Sequence, residues 1–325
     1  MAEWLYEAGI GERRAALVED GRIVEARIER DGEGSRVGAV VAARLVEAGK
    51  GALVTLDLPG EPVAAISSVP PGTSIGATLT VEIVRMALRE RGRDKPARAR
   101  AVDAPLSDGS DLRARIAATG LPLVELAPTG PDRLEEAGWS ELIDQVRTGY
   151  FPFAGGALWV DTTPAMTLID IDGEGDALAL ARAGGAAAVD VIRCCGIGGS
   201  IGIDFPSLPG RAERQSVDAL IDELLPPPFE RTAINGFGFL QIIRRRERPS
   251  LIEQVRFDAI ATDAALLLRR AGRAVGAGAL QLVARPAVAD HIAAYPGWIA
   301  ALERRTGRPV EMIRDGQVKG AGHAQ

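Results

Sequence analysis

Aromatic residues are scarce in this sequence and make up only 4% of its 325 residues. The hydrophobic core must therefore be built mainly from alanine, valine, leucine and isoleucine. Cysteine is scarcer still: Cys194 and Cys195 are adjacent, and the sequence contains no CxxC pair that would bind zinc. We predict that both cysteines are small buried side chains and that the protein works in a reducing, cytoplasmic compartment.

Long apolar runs are also missing. No run approaches the length of a membrane span, and the first residues, MAEWLYEAGIGERR, lack the apolar core of a signal peptide. We therefore predict a protein without a membrane partner. The net charge of −6 does not favour nucleic acid as a partner, although a local basic patch matters more than the sum.

The first third of the chain has the patterns of short strands. The stretch RRAALVEDGRIVEARIER alternates apolar and polar residues around Asp20-Gly21, which predicts a β-hairpin. Between residues 36 and 85, short β-rich runs separated by glycine and proline predict a small barrel. The basic stretch RERGRDKPARARA follows, and WSELIDQVRTGY has a helical period.

The second half alternates strands with helices, which is typical of α/β layers. The stretch GALWVDTTPAMTLIDIDG predicts two strands joined by a Thr-Thr-Pro turn. Helices are predicted over DALALARAGGAAAVDVIRCCGI and QSVDALIDELL, on either side of the strand GSIGIDF. The tail predicts a helix, the strand ALQLVA, one helix over AVADHIAAYPGWIAALERR, the strand PVEMIRD and a frayed end.

Two of these strands carry bare carboxylates. In TLIDID, Leu168, Asp170 and Asp172 fall on one face, and in SIGIDF the face of Asp204 is opposite that of the isoleucines. If the strands are neighbours, Asp170 and Asp204 meet at the edge of the sheet. Clustered carboxylates repel one another unless a proton or a cation intervenes, and oxygen ligands suit Mg²⁺ or Mn²⁺ rather than zinc. In the structural alternative these aspartates only cap helices and turns, a role that also suits Asp176.

The residues around these aspartates resemble the ribonuclease E/G family in order and spacing. The resemblance is carried by TPAMTLIDIDG, then IRCCGIGGSIGIDF, then FGFLQIIRRRERPSL, and it extends to the opening hairpin and to ARPAVADHIA and LERRTGRPVEMIRD near the end. It implies a cytoplasmic endoribonuclease that cuts single-stranded RNA with Mg²⁺, or Mn²⁺, and leaves a 5′-phosphate. Asp170 and Asp204 match the family's catalytic, metal-binding aspartates, and Asp172 stands where the family often has asparagine that supports the metal.

The resemblance also implies a fold class, a multidomain α+β or α/β protein. The expected parts are an N-terminal hairpin belonging to the core (1–35), an inserted OB-fold-like RNA-binding barrel with a basic tail (36–100), a shortened connecting region (101–150), a nuclease domain with a mixed sheet (151–251) and a small C-terminal α/β domain (252–325).

Basic residues follow the predicted barrel, where the family contacts RNA. They are candidates to neutralise phosphates, together with arginines near FLQIIRRRERPSL, and the full set is Arg91, Arg93, Lys95, Arg98, Arg100, Arg231, Arg244 and Arg246. The alternative is a solvated surface or a linker that binds nothing.

Three features depart from the family pattern. The zinc-binding CPxC-type motif is absent after RPSL, so we expect no zinc, and any homo-oligomer would not be held by it. The region between barrel and nuclease part is short, which leaves little room for a 5′-end sensor. The barrel positions Leu53, Val54 and Ala65 are aliphatic where the family has aromatic platforms for bases.

Two main functional hypotheses therefore remain open, beside a third in which the chain is a nuclease or phosphodiesterase that acts on some other substrate. The first is a metal-dependent endoribonuclease with Asp170 and Asp204 at its centre. The second is a degenerate member of the family that binds RNA or a protein without cutting. The retained carboxylates favour the first hypothesis, and the lost zinc motif and aromatics favour the second.

Overall fold

Strands dominate the first third of the chain, and helices alternate with strands in the remainder. The computed structural model describes residues 2–32, 34–60, 62–90 and 93–325, the side chain of Arg93 excepted. The strands of these residues are, in chain order, β1 (Ala2–Ala8), β2 (Glu12–Glu19), β3 (Arg22–Arg30), β4 (Val40–Glu47), β5 (Leu53–Leu56), β6 (Val63–Ile66), β7 (Thr78–Arg85), β8 (Leu88–Glu90), β9 (Arg93–Lys95), β10 (Ala97–Ala101), β11 (Leu123–Glu125), β12 (Tyr150–Phe153), β13 (Gly156–Thr162), β14 (Thr167–Gly173), β15 (Gly199–Asp204), β16 (Phe229–Arg231), β17 (Phe239–Arg244), β18 (Leu280–Ala284), β19 (Val310–Arg314) and β20 (His323–Ala324).

The helices vary from a single turn to about five turns. In chain order they are α1 (Leu112–Ala117), α2 (Arg133–Glu136), α3 (Trp139–Thr148), α4 (Ala177–Cys194), α5 (Arg211–Leu224), α6 (Leu251–Phe257), α7 (Ala259–Ala271), α8 (Pro286–Ala293) and α9 (Pro296–Thr306). None of the helices in the described part of the chain combines the length and the apolar character that a membrane crossing needs.

The chain divides into two compact units. Unit 1 contains residues 1–32, 112–140 and 254–325, and unit 2 contains residues 33–111 and 141–253. The barrel, the β8-β9 hairpin and a six-stranded sheet belong to unit 2. Along the sequence, the barrel is thus inserted between two stretches of unit 1. The five segments expected from the sequence are a finer division and stay a prediction.

Unit 1 is built on two sheets, ordered β11-β1-β2-β3 and β19-β18-β20. The β2-β3 hairpin turns at Asp20 and Gly21, which have φ angles of 49° and 78°. Both angles lie in the left-handed region that a type I′ turn requires, so the predicted hairpin is confirmed. Helix α7 packs its leucines, Leu267 and Leu268, into the same core as Leu280 and Leu282 of β18.

Unit 2 begins with the predicted barrel. Five strands close in the order β10-β6-β5-β4-β7, with a core of small and branched side chains such as Leu45, Val54 and Val81. A mixed α and β protein with a closed five-stranded barrel is therefore confirmed. The last five residues of the basic stretch are not a linker, because Ala97 and Ala99 point into the barrel core as part of β10.

The six-stranded sheet has the order β12-β13-β14-β15-β17-β16, and β14 and β15 are its parallel pair. Its buried face contains Ile169, Ile171, Ile201 and Ile203. Burying each of these side chains contributes roughly 1.5–3 kcal/mol. Helix α4 connects the two parallel strands and packs on this face. The opposite face of the sheet is the one that carries the aspartates.

Two predictions about the tail are wrong. The single helix expected over AVADHIAAYPGWIAALERR is two helices, because Pro296 begins α9 and a proline disfavours helical geometry in the residue before it. The end of the chain does not fray: His323 pairs with Val283, so β20 adds a third strand to the sheet. Main-chain hydrogen bonds between Gln281 and Gln325 extend that pairing.

Candidate active site

The aspartates of β14 lie on its exposed face. Thr167, Ile169 and Ile171 are buried, whereas Asp170 and Asp172 are exposed, as the period-two alternation predicts. The hydrophobic side chains hold the strand against α4, and the same alternation leaves every second side chain in solvent. The predicted turn at Thr163 is also present, where its hydroxyl donates to the carbonyl of Met166.

The strands β14 and β15 are adjacent, and Asp170 is directly opposite Asp204 in their register. Neighbouring strands are about 4.8 Å apart. Leu168 is likewise opposite Gly202, so both strands present the same face at these positions. The expectation that Asp170 and Asp204 meet on one face is thus confirmed, with Asp204 as the last residue of β15.

The electrostatics of the site centre on Asp170. Partial burial raises the pKa of its carboxyl group, and the nearby charges of Asp204 and Asp172 raise it further. None of the three carboxylates hydrogen-bonds to, or forms an ion pair with, another residue within the described ranges. This cluster has oxygen ligands and like charges that repel, which is the donor chemistry that a hard divalent cation neutralises.

No group of three or more His, Cys, Asp or Glu side chains in the described parts of the chain is close enough to form a complete cage for a metal ion. The fit to Mg²⁺ therefore rests on the register pair Asp170 and Asp204. Asp172 is two residues along β14, opposite Ala157 of β13. Asp176 instead caps α4, with its carboxylate accepting a hydrogen bond from the amide of Ala179 at 2.8 Å.

Glycine at position 202 makes room beside the carboxylates. A Cβ atom at Gly202 would lie 2.4 Å from the ring of Phe239 and 3.0 Å from a methyl group of Leu168. Because such contacts are too short, any side chain here would displace the Phe239 ring. Phe239 is opposite Asp204 in the register of β15 and β17, so the ring lies beside the candidate site.

Sequence reasoning missed the aromatic residues around the carboxylates. Trp159 is opposite Asp170 on β13, and Tyr150 is opposite Trp159 on β12. The alternation in ALWVD contains the signal, because it assigns Leu158 and Val160 to one face and Trp159 to the other.

The basic residues predicted to contact RNA have different surroundings. Arg91 is outside the described residues, as is the side chain of Arg93. The ammonium of Lys95 pairs with Glu90 at 2.7 Å, and Arg100 pairs with Glu82 at 2.6 Å. The side chain of Arg98 is exposed and makes no hydrogen bond or ion pair with any residue that the structure describes.

Two other arginines predicted to contact RNA, Arg231 and Arg244, hydrogen-bond to groups within the protein. Arg231 bonds to Asp218 and Asp222 on α5, and this pairing raises the pKa of the guanidinium. Arg244 donates to the carbonyl of Ile197 at 3.4 Å. These contacts hold β16, β17 and their neighbours together, so the structure gives both arginines a role within the fold. Their contact with RNA stays a prediction.

Arg246 links the β8-β9 hairpin to the segment after β17. Its guanidinium pairs with Glu90 at 3.3 Å and with Glu253, and the amide of Met86 donates to the carbonyl of Glu247 at 2.8 Å. Burial lowers the pKa of Arg85, and the nearby positive charges of Arg98 and Arg246 lower it further. Arg85, Arg98 and Arg246 therefore form a cluster of neighbouring positive charges, which we call the arginine cluster.

The aliphatic barrel positions lie on both faces of the barrel wall, two of them partly exposed and one in the core. Leu53 is opposite Ala65 in the register of β5 and β6, and both are partly exposed. Val54 is fully buried in the barrel core.

The cysteines lie at the end of α4, where Cys195 is buried but Cys194 is half-buried. The prediction that both are buried is therefore correct only for Cys195.

No model of a known protein family matches the chain, and no curated protein matches its sequence.

Proposed function

We propose that the protein is a metal-dependent endoribonuclease of the ribonuclease E/G type that hydrolyses single-stranded RNA. The observation that carries the proposal is the register of Asp170 opposite Asp204 on the exposed face of a parallel strand pair. The resemblance of the flanking motifs supplies the reaction class. In this proposal, the closed barrel of unit 2 is the OB-fold-like domain and the six-stranded sheet is the nuclease core.

In this proposal Asp170 and Asp204 hold Mg²⁺, and Asp172 assists from the next exposed position of β14. When such an ion is bound, it supplies positive charge against the phosphate and lowers the pKa of a water molecule. The rigid pairing of β14 with β15 fixes the separation of the two carboxylates, so the scissile phosphate is positioned without rearrangement of the strands. The raised pKa of Asp170 is consistent with a group that gains from a nearby cation.

The arginine cluster supports RNA as the substrate. Arg98 is an exposed cation beside Arg85, on the barrel that belongs to the same unit as the carboxylates. Cations at this position neutralise backbone phosphates whatever the base sequence. The aliphatic outer positions Leu53 and Ala65 offer no stacking surface, so the barrel contributes charge rather than base contacts.

The test is cleavage of a fluorescently labelled, A/U-rich single-stranded RNA with Mg²⁺ or with EDTA. We expect Asp170→Asn and Asp204→Asn each to lower the cleavage rate by at least about 10²-fold, because each removes a charged group that acts on the reacting centre. Asp161→Asn is the matched control: Asp161 lies on the same face of β13, but its carboxylate accepts a hydrogen bond from the amide of Thr162 at 2.9 Å. We expect this variant to cleave at the normal rate.

Full activity in Asp170→Asn or Asp204→Asn would contradict the proposed site. Binding of the RNA without any cleavage by the unaltered protein would instead favour the non-cutting family member. Circular dichroism of each variant is needed alongside, since an unfolded variant would also lose cleavage. The exposed positions of both aspartates make unfolding by these substitutions unexpected.

A further inference from the structure

One register row crosses five strands of the six-stranded sheet. Tyr150 is opposite Trp159, Trp159 is opposite Asp170, Asp170 is opposite Asp204, and Asp204 is opposite Phe239. Residues opposite each other in a sheet have side chains on the same face. The row therefore places a carboxylate pair at its centre, with aromatic side chains on both sides.

The aromatic side chains on the β12-β13 side are not part of the core. Trp159 is 50% exposed and Tyr150 is 41% exposed, whereas Trp4 and Trp139 are each 1% exposed. The rings of Tyr150 and Trp159 contact each other with centroids 4.9 Å apart and planes tilted by 57°. Each ring therefore keeps part of its surface exposed to solvent, and the two rings together form an apolar surface beside Asp170.

A second aromatic pair lies on the other side of the carboxylates. Phe237 is 89% exposed at the tip of the turn before β17, and Phe239 is partly exposed at the start of that strand. The side-chain carbonyl of Asn235 accepts hydrogen bonds from the amides of both phenylalanines, at 2.8 and 3.1 Å. The amide of Phe205, next to Asp204, donates to the carbonyl of Gly238 at 3.0 Å. The turn is therefore fixed beside the end of β15 and presents an apolar ring to solvent.

The charges of the same unit indicate the kind of partner. The strand β17 runs from Phe239 toward Arg246 of the arginine cluster, a distance of at most about 25 Å along the chain. Ile243 is exposed between these two ends. A ligand lying along this path meets aromatic rings near the carboxylates and, at the far end, the exposed cation Arg98 of the arginine cluster, since Arg246 itself pairs with Glu90 and Glu253. A flexible polyanion with flat apolar groups has the chemistry that complements both ends.

We propose that this face binds single-stranded RNA by stacking unpaired bases on Trp159 and Tyr150 and on Phe237 and Phe239, on the two sides of the phosphate at Asp170 and Asp204. The identification of the strand as RNA rests on the proposed function. Aromatic rings stack on any base, so the platforms give affinity with little sequence preference. They also replace the aromatic positions that the barrel lacks.

The test is equilibrium binding of a fluorescein-labelled ten-nucleotide A/U-rich RNA, followed by anisotropy. The protein carries Asp204→Asn, so that a functioning nuclease leaves the strand uncut, and a gel checks that the RNA stays intact. Trp159→Ala and Phe237→Ala are added singly to this background. Phe237 has almost no packing to lose, so its removal tests stacking without a risk of unfolding.

Controls separate stacking from other effects. Trp159→Phe keeps a ring at the position. Tyr295→Ala removes an aromatic ring of unit 1 that is 39% exposed and stacked on Trp298 at 4.1 Å. A second RNA carries abasic residues at its central positions and keeps every phosphate. An uncharged cellulose oligosaccharide serves as a competitor, since exposed aromatics beside carboxylates also suit sugar rings.

We expect each alanine variant to bind the RNA about 5- to 150-fold more weakly, the range for loss of one stacked base. Trp159→Phe and Tyr295→Ala should bind within about threefold of the parent. The abasic RNA should bind the parent more weakly, and Trp159→Ala should add little further loss with that RNA, because the bases it would stack are already gone. This pattern supports the inference whether or not the unaltered protein cuts RNA.

Unchanged affinity in both Trp159→Ala and Phe237→Ala would overturn the inference, as would an alanine effect that is equally large with abasic RNA. Displacement of the RNA by the oligosaccharide would assign the face to sugars instead. Failure of the unaltered protein to cut any RNA, together with the expected binding pattern, would contradict the proposed function but leave the stacking result intact, so the two failures are distinguishable.

Discussion

Asp170 and Asp204 are opposite each other on two adjacent parallel strands, with no cationic partner among the residues that the structure describes. The carboxylates are held together by main-chain pairing and by the isoleucines beneath them, not by any attraction of their own. Their repulsion therefore subtracts from the stability of the sheet. A bound cation or loss of one charge should recover that energy, which makes stability a sensor of the site.

We expect Asp170→Asn to stabilise the protein at neutral pH in the absence of divalent metal. The gain should be about 0.2–1 kcal/mol, the range for exposed charge interactions, because Asp170 is largely in solvent. Addition of Mg²⁺ should raise the melting temperature of the unaltered protein and leave that of Asp170→Asn nearly unchanged. Thermal unfolding with and without Mg²⁺ measures both effects.

The pH dependence of this gain has a definite sign. The folded pKa of Asp170 lies above its ordinary value of 3.8. Between the two values the folded protein holds a proton that the unfolded chain has lost, so stability falls as pH rises through this window and stays lower above it. The advantage of Asp170→Asn should therefore shrink toward acid pH and vanish below about 3.8. An equal gain in the control Asp161→Asn would trace the effect to overall charge instead.

The site was partly predictable from the sequence. Strict alternation in TLIDID assigns Asp170 and Asp172 to a face opposite the isoleucines, and that assignment needs no tertiary information. The pairing with Asp204 is different, since it arises from a parallel crossover through α4 that local patterns do not specify. Trp159 was missed because a tryptophan is ordinarily counted toward the core, and only its register opposite Asp170 shows another use.

The fold, like the site, was predictable where local sequence patterns specify it and not where it depends on long-range packing. The barrel strands and the Asp20-Gly21 turn follow from local chemistry, because glycine-rich turns and short alternating runs specify them directly. The grouping of the first 32 residues with residues 254–325 depends on long-range packing, which no segment of the sequence encodes alone. Proline at position 296 did contain a local signal for the helix break, which the apolar periodicity of the surrounding stretch concealed.

The packing of α4 on β14, the strand of Asp170, can be tested at two adjacent glycines of α4. A Cβ atom at Gly184 would be 2.4 Å from a methyl group of Ile171, and one at Gly185 would be 3.3 Å from the ring of Phe205. We expect Gly184→Ala to destabilise the protein by about 1–3 kcal/mol through overpacking, which exceeds the gain of up to about 1 kcal/mol in helix propensity. Gly185→Ala should change stability by less than about 1 kcal/mol.

Urea unfolding followed by circular dichroism compares the two glycine variants. Both substitutions add the same methyl group to the same helix, so intrinsic helix propensity cancels between them. Equal stability of Gly184→Ala and Gly185→Ala would contradict the close packing of α4 on β14. If the proposed function is correct, Gly184→Ala should also slow cleavage, because Ile171 lies between Asp170 and Asp172 on the strand.

The role of Arg98, the exposed member of the arginine cluster, can be separated from that of the paired Arg100 by salt dependence. Arg98→Ala should weaken RNA binding and reduce the slope of log affinity against log salt by about 0.7, the value for one phosphate contact on a single strand. Arg100→Ala is the matched control, one exposed position further along β10, since Arg100 is already paired with Glu82 at 2.6 Å. An equal change of slope in both variants would show that the cluster has no special position.

A buried charge network makes unit 1 sensitive to acid. The carboxylate of Glu7 meets Arg14 at 2.8 Å, Arg269 at 3.0 Å and Arg273 at 3.0 Å, and the Arg14 side chain is fully buried. Burial alone would raise the pKa of Glu7, but the surrounding guanidinium groups outweigh it and lower the pKa below the ordinary 4.5. Removing this carboxylate takes one partner from each of the three guanidinium groups, which keep Glu12 beside Arg14 and Asp132 beside Arg269 and Arg273.

We therefore expect Glu7→Gln to cost about 1.5–3 kcal/mol at neutral pH, the range for losing hydrogen bonds between charged groups, because the arginines keep other carboxylate partners. Because the folded pKa is depressed, the stability that Glu7 contributes is present above its unfolded value of 4.5 and is lost as pH falls through the folded value. The difference between Glu7→Gln and the unaltered protein in urea unfolding should thus be largest near neutral pH and shrink in acid. Glu3→Gln on the same strand is the control, since its pair with Arg133 is half-exposed and should be worth less than about 1 kcal/mol. A loss in Glu7→Gln no greater than that in Glu3→Gln would mean that the three arginines are stabilised by other contacts.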